Sequence, residues 1–439
     1  MDAGFGEYIE IVQYEDKIGF NNLKYLGNAK GLNHPLSNTY TKSDVSKFWN
    51  EFRKDNPNTS FVIEQYADWR PVFESYSAVW KSAKKLDCKD QLNRSDEFHM
   101  LGLDYTEIML REYLKSTPKT VFDIDLDTAP GAVYRKRGFK DKYSALGSDI
   151  YIYYHNGRFI PIWTLSGKPE FQGPEELLDE KIRTFMGPPL DFLMKQKVLF
   201  TGQNDKLKEC CYDQAQWIRY GFVKQYGGFH RLMKSMEKFD LVWTGDVSGY
   251  DRRLQVQPEV YYLRTKYLDL KDNDELKKEL DYVVYHTINS TLLMPNGALF
   301  QRSCGNNSGS LNTTTDNSIS HVIMMFRFLI KAWFDKYGVM PTYSDIMMNV
   351  EVNIMSDDNC GSLNSCVFGF TVESFKEALR SNYAFYNLEV KEKALEVRIR
   401  QNLKEPINGI EFLGSTSNNE DGWYFPIPRK GKICSRAIY

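Results

Sequence analysis

The sequence is poor in cysteine. Seven cysteines in 439 residues are too few for a disulfide framework, and the odd number leaves one thiol without a partner in the chain. Cys210 and Cys211 are adjacent, and Cys360 and Cys366 are six apart. Neither spacing has the form of a structural zinc site, and the six histidines are scattered. A reduced, cytosolic setting is expected. Long apolar runs are also lacking. The most apolar stretch, 319–334, is broken by His321, Arg327 and Lys331, so no run of roughly 18 apolar residues is present to span a bilayer. The first residues, MDAGFGEYIE, lack a basic region followed by an apolar one, so no secretory signal is expected. An excess of one charge is missing too: 56 Lys and Arg stand against 58 Asp and Glu, a net charge of -2. With 14% aromatic residues, this balance excludes a wholly disordered chain. It argues only weakly against nucleic acid, because a large protein concentrates positive charge locally. Repeats, low-complexity tracts and an obvious linker are absent. The length suggests about three domains or subdomains.

What is present is a series of short, ordered signals. Residues 40–115 read as mostly helical, with aromatic and aliphatic residues among charges. Residues 128–142, TAPGAVYRKRGFKDK, are a Pro-Gly turn followed by a basic strip. Its ordinary reading is a solvated loop. Its functional reading is a phosphate-contacting strip, with Tyr134 and Phe139 interleaved to stack on single-stranded nucleic acid. Residues 241–244 are a strand closed by Gly245. Residues 271–281 are a charged helix with a solvated face. From Ile319, apolar residues at 322, 323, 326, 330 and 333 make one stripe of a helix. Residues 350–355, VEVNIM, alternate as a strand does, a turn follows from Asp357 to Gly361, and Thr371 caps a further helix.

Three segments gain meaning together. Gly245-Asp246-Val247-Ser248-Gly249-Tyr250-Asp251 places one carboxylate just past a strand and a second five residues on. The segment from Ser308 to Asn317, SGSLNTTTDN, is a small-residue loop opening the apolar helix. Ser356-Asp357-Asp358 lies at a hairpin tip. Singly, each has an ordinary explanation in turn or capping chemistry. As an ordered set they suit phosphoryl transfer, in which two divalent ions roughly 3.5–4 Å apart clamp an in-line displacement. Magnesium favours such carboxylate oxygens.

These segments resemble the RNA-dependent RNA polymerases of positive-strand RNA viruses, of the picornavirus-like and sobemovirus-like sort. GDVSGYD is similar to the family's motif A, D-x4-D. In SGSLNTTTDN, Ser308, Gly309, Thr313 and Asn317 stand at the spacing of motif B. Ser356-Asp357-Asp358 is similar to motif C, which usually begins with glycine. The resemblance implies that Asp246 and Asp357 are the main metal ligands, with Asp358 and the Val247 carbonyl assisting. The ions would be two Mg2+, with Mn2+ as a substitute. It implies that Asp251, Asn317 and Ser308 read the ribose hydroxyls, with Gly309 and Thr313 shaping that nucleotide site. Lys168-Pro-Glu170 and Glu180-Lys181-Ile182-Arg183 are similar to motif F, so Lys168, Lys181 and Arg183 would face the triphosphate. Thr128 to Gly131 are similar to motif G at the template entrance, which raises the RNA-binding reading of Arg135, Lys136 and Arg137. Phe412-Leu413-Gly414 is similar to motif E, the grip on the primer. Lys391 and Lys393 lie where motif D places a general acid, and Lys393 is preferred.

The resemblance thus implies an α+β right-hand polymerase fold with an antiparallel palm sheet backed by helices. Fingers would occupy 1–235 and an insertion at 266–300. The palm would hold 236–265 and 301–411. Motif E and a thumb, either minimal or truncated, would fill 412–439. The expected activity is template-directed RNA synthesis from NTPs in viral genome replication and transcription. The expected partners are template and primer RNA and other viral replication proteins. The expected place is the host cytoplasm, in membrane-associated replication complexes. Two alternatives are a reverse transcriptase and an inactive RNA-binding protein on the same fold. Reverse transcriptases place a bulky aromatic where this chain has Asp251, and the intact acidic positions disfavour the inactive protein.

Overall fold

The computed structural model describes residues 11–12, 22–29, 31–32, 47–65, 70–71, 76–88, 90–121, 123–168, 171–172, 182–391 and 395–429. Its axis is the helix Thr313–Tyr337, which grows from the apolar stripe beginning at Ile319. The stripe predicted one buried face. Instead every residue from Thr315 to Ile330 is buried, polar ones included. A helix enclosed on all sides is a core element, and here each polar side chain on it needs a partner inside the protein. The helix Glu97–Leu114 packs along it. Asp96 caps that helix by accepting from the His99 N–H, and Arg327 of the central helix reaches the same carboxylate (2.9 Å).

On another side of the central helix lies a four-stranded antiparallel sheet in the order Val350–Met355, Asp358–Leu363, Leu241–Gly245, Glu396–Ile399. The VEVNIM segment forms the strand that its alternation predicts. Its polar positions are buried too, because Arg219 donates to Asn353 (2.6 Å) and approaches Glu351 (3.3 Å). Trp243, Phe326, Phe375 and Ile354 belong to the core between sheet and helices. Each large side chain buried there contributes about 1.5–3 kcal/mol.

A second sheet has six strands in the order Ile11–Val12, Leu23–Ala29, Ala298–Arg302, Ser290–Leu293, Ile162–Lys168, Arg183–Gly187. The segment around 290–302 therefore joins strands from the first 190 residues. The predicted charged helix is Asp274–Ile288; it keeps a solvated face but also buries Leu280, Tyr282 and Val283, next to Trp163 and Phe192. The described C-terminal residues form a three-stranded meander, Glu411–Phe412, Ser415–Glu420 and Trp423–Pro428. Among the described residues, no helix is long and apolar enough to cross a membrane.

Candidate active site

The register of the four-stranded sheet assembles the carboxylates. Met355 pairs with Asp358, so Ser356 and Asp357 form a two-residue turn. Gly245 pairs with Asn359, which sets Asp246, one residue beyond the strand, beside that turn. The Asn359 side chain secures the seam: its amide donates to the Gly245 carbonyl (3.1 Å), and its oxygen accepts from the Trp243 indole (3.1 Å). Val247 and Ser248 then pair with Val390 and Glu389. The short helix Tyr250–Arg253 carries Asp251.

The electrostatics follow from this crowding. Burial raises the Asp357 carboxyl above the usual range, and Asp251 and Asp246 raise it further against the pull of Arg183. Asp358 is pushed up to about 7, first by burial and then by Asp357, Asp246 and Glu411, with Arg429 opposing. Lys391 answers part of the charge: its ammonium lies 2.5 Å from Asp246, and its backbone N–H donates to the Asp246 carbonyl (3.1 Å). A cluster of oxygen donors that repel one another suits a hard divalent cation. As the side chains stand, no three Asp, Glu, His or Cys groups among the described residues are gathered into one ligating cluster.

The loop before the central helix is clamped to the other sheet. The Ser308 hydroxyl accepts from the Met186 N–H (3.1 Å), and the Gly309 N–H donates to the Met186 carbonyl (3.0 Å). A Cβ on Gly309 would lie 2.4 Å from that carbonyl oxygen, so the contact requires glycine. The Met186 strand carries Arg183, which pairs in register with Lys168. Lys168 and Arg183 thus sit side by side on a strand pair. Lys181 and Lys393 lie outside the described residues. The Thr313 hydroxyl donates to the Asn307 carbonyl (2.6 Å) and holds the loop closed.

Asn317 is anchored at both ends. Its amide donates to the Ser356 hydroxyl (3.0 Å), and its oxygen accepts from the Asn306 amide (2.9 Å). The Asn306 backbone N–H donates to the Asp251 carbonyl (2.6 Å). Asn306, Ser318 and His321 were not singled out from the sequence. The Ser318 hydroxyl accepts from the Ser356 N–H (2.9 Å), and His321 Nδ1 meets the Ser356 carbonyl (2.9 Å). A carbonyl only accepts, so Nδ1 carries the proton, and Nε2 accepts from the Tyr383 hydroxyl (2.5 Å). Helical spacing from Asn317 to His321 was the available signal for this face.

The expected RNA contacts divide. Thr128, Arg135, Lys136 and Arg137 are exposed, the three cations at the end of the short helix Ala132–Lys136. Gly131 is buried, and a Cβ there would lie 2.9 Å from Pro189, so its glycine serves packing. Tyr134 corrects the stacking expectation: it is fully buried and donates to Asp191 (2.9 Å). Phe412 also requires correction. It is buried with Phe222, Met236 and Tyr424, because strand alternation turns it inward and leaves no surface to grip a primer. Leu413 is half-buried at the next turn.

A family model described as viral RNA-dependent RNA polymerase matches residues 78–437. The chain is 23% identical over 306 residues to genome polyprotein 1 of Barley mild mosaic virus (strain Na1), covering 65% of this chain and 13% of that polyprotein. It is 27% identical over 341 residues to the genome polyprotein of Papaya ringspot virus (strain P / mutant HA), covering 71% of this chain and 10% of the relative. For the genome polyprotein of Brome streak virus (strain German) the figures are 24% over 411 residues, 86% and 41%. The matched segment is thus a minor part of each relative's length.

Proposed function

The chain belongs to the viral RNA-dependent RNA polymerase family, and from that premise we propose that it performs template-directed transfer of nucleotides from NTPs to an RNA 3′ end. The observation that carries this reading is that Asp246 and Asp358 stand beside the Ser356–Asp357 turn at one end of the four-stranded sheet, within electrostatic reach of Asp251 and Arg183 and tied through Ser356 to Asn317. In this reading the four-stranded sheet and central helix are the palm. The six-stranded sheet, including 290–302, belongs to the fingers at 1–235 and 266–300. The meander from 411 begins the thumb side. Related polyproteins come from plant viruses, which supports action in the host cytoplasm, in membrane-associated complexes with template, primer and other replication proteins.

Asp246, Asp357 and Asp358, with the Val247 carbonyl, would hold two Mg2+ ions, for which Mn2+ substitutes. When bound, the ions lower the pKa of the attacking ribose hydroxyl and neutralise triphosphate charge. Arg183 and Lys168, with Lys181 beyond the described residues, supply positive charge for the triphosphate. Asp251 and Asn317, with Ser308, Gly309 and Thr313 shaping the loop, read the ribose hydroxyls. A polar site built for a 2′-hydroxyl penalises a sugar that lacks it. Lys391 is paired with Asp246, and Lys393, outside the described residues, is the expected donor to the leaving pyrophosphate. Thr128, Arg135, Lys136 and Arg137 guide the template strand. Catalysis is then mainly positioning and charge stabilisation.

The test is extension of a labelled RNA hairpin primer-template with NTPs and Mg2+ or Mn2+, beside Asp357→Ala. Extension that needs the complementary NTP and disappears in the variant is the expected result. Extension unchanged in the variant would overturn the site assignment.

A further inference from the structure

The turn bearing the central carboxylates departs from the family pattern at one residue, and the structure shows what that residue touches. Ser356 has a φ of 63°, whereas Asp357 does not enter the left-handed region. A positive φ at the first central residue alone is the pattern of a II′ hairpin turn, where glycine is usual. A serine there is strained unless its surroundings hold it.

Three bonds hold it, all from one face of the central helix. Two involve the backbone: the Ser356 N–H donates to Ser318 Oγ, and the Ser356 carbonyl accepts from His321 Nδ1, both at 2.9 Å. A glycine would keep both. The third is the amide of Asn317 donating to Ser356 Oγ at 3.0 Å. That contact is what serine adds to the turn and what glycine would remove.

Its consequence falls on Asn317, which is 2% exposed. The side-chain oxygen is held by Asn306, whose own backbone N–H is tied to the Asp251 carbonyl. An asparagine amide carries two hydrogens. With one directed at Ser356 and the oxygen at Asn306, the amide plane is set and the direction of the second hydrogen is determined. Cut the bond to Ser356, and the amide pivots about its remaining anchor.

We propose that Ser356 is a specificity-positioning residue: its hydroxyl orients the Asn317 amide for recognition of the ribose 2′-hydroxyl. This rests on the reading of Asp251 and Asn317 as the ribose-recognising pair. The gain is pre-organisation, because a donor already aligned loses less freedom when the correct sugar arrives. A misaligned donor loses its advantage for the ribonucleotide while leaving the charge interactions with the triphosphate intact.

The test is single-nucleotide incorporation by the full chain, comparing kcat/KM for an NTP with that for the matching dNTP. Four proteins are compared with the parent: Ser356→Ala, Ser356→Gly, Asn317→Ala and Asn317→Ala/Ser356→Ala. Both Ser356 variants are expected to lower the NTP preference about tenfold, as for one aligned hydrogen bond. Asn317→Ala should lower it at least as far, and the double variant no further, since the two residues act as one unit. Ser356→Gly suits the backbone of the turn, so its loss of preference, with an unchanged thermal unfolding midpoint, separates the hydroxyl from folding. If neither Ser356 variant moves the ratio while Asn317→Ala does, the role of Ser356 is overturned and the ribose reading stands. If glycine preserves the ratio and alanine loses it, the backbone decides and the hydroxyl does not. If Asn317→Ala also leaves the ratio unchanged, the ribose reading itself falls.

Discussion

Three hairpin turns among the described residues hold a non-glycine residue in left-handed backbone, at Ser356, Leu413 and Asp421, and the first two are secured in opposite ways. At the Ser356–Asp357 turn, the hold comes from Asn317, Ser318 and His321 on a helix that is itself core. At the Leu413–Gly414 turn, φ is 52° and 69°, the both-positive pattern of a I′ turn. There the hold comes from Lys224, whose ammonium reaches the Leu413 carbonyl and the Ser415 hydroxyl. One turn is pinned at three points by a rigid element, the other by the flexible Lys224 side chain and by the Arg429 N–H, which donates to the Gly414 carbonyl (3.3 Å). Of these two, only the first presents carboxylates. Strain at a functional position persists where its surroundings over-determine it, and the difference between the turns shows what that requires.

The largest expected effect separates the turns by chemistry. Asp357→Asn keeps the shape and removes a charge, so kcat for primer extension should fall by on the order of 10³-fold or more. Leu413→Asn should lower it by less than about tenfold. Equal losses in a single-turnover assay would break the comparison.

The next effect concerns how the first turn is pinned. Burial holds His321 down to about 4, although its bond to the Ser356 carbonyl pulls the other way. Below pH about 6.5 the unfolded chain takes up a proton that the folded one refuses. Stability is therefore complete above that pH and is lost as the pH falls toward 4. The loss amounts to about 3 kcal/mol for a shift of this size. Urea unfolding across this range should show the slope, and His321→Asn should flatten it. The same slope in the variant would mean that another group is responsible.

Lys224→Ala tests the second turn. Removing hydrogen bonds from a charged donor should cost about 1–2 kcal/mol, read as a lower urea midpoint with unchanged m-value. The smallest effect comes from Leu413→Asn, which creates the Asn-Gly pair that I′ turns prefer. A gain of about 0.5 kcal/mol is expected, roughly 0.5 °C in Tm for a chain of this size. A loss would show that packing of Leu413 outweighs its backbone strain.

Much of the candidate site was readable in one dimension. Asp246 with Asp251, Ser308 with Thr313 and Asn317, and Asp357 with Asp358 stand at short offsets, because each set sits within one local element. The central helix, the strand at 350–355 and the cap at Thr371 were likewise readable from periodicity and capping chemistry. Burial was less legible. Tyr134 and Phe412 look like surface aromatics beside basic or turn residues, yet both turn inward. Glu351 and Asn353 look solvent-facing until Arg219, more than 130 residues earlier, comes to meet them.

The sequence alone determined which residue types stand at which local spacing, and from these the α+β elements, the family resemblance and the list of candidate carboxylates. Local backbone geometry dictates such spacing, so it survives without knowledge of partners. The tertiary structure decided the rest: that Gly245 lies against Asn359, that Lys391 takes Asp246, and that Asn306 joins Asp251 to Asn317. It also decided that Ser356 is held by the central helix. These contacts join residues up to 145 apart in the chain. Strand register and core packing choose them, and both depend on the whole fold at once.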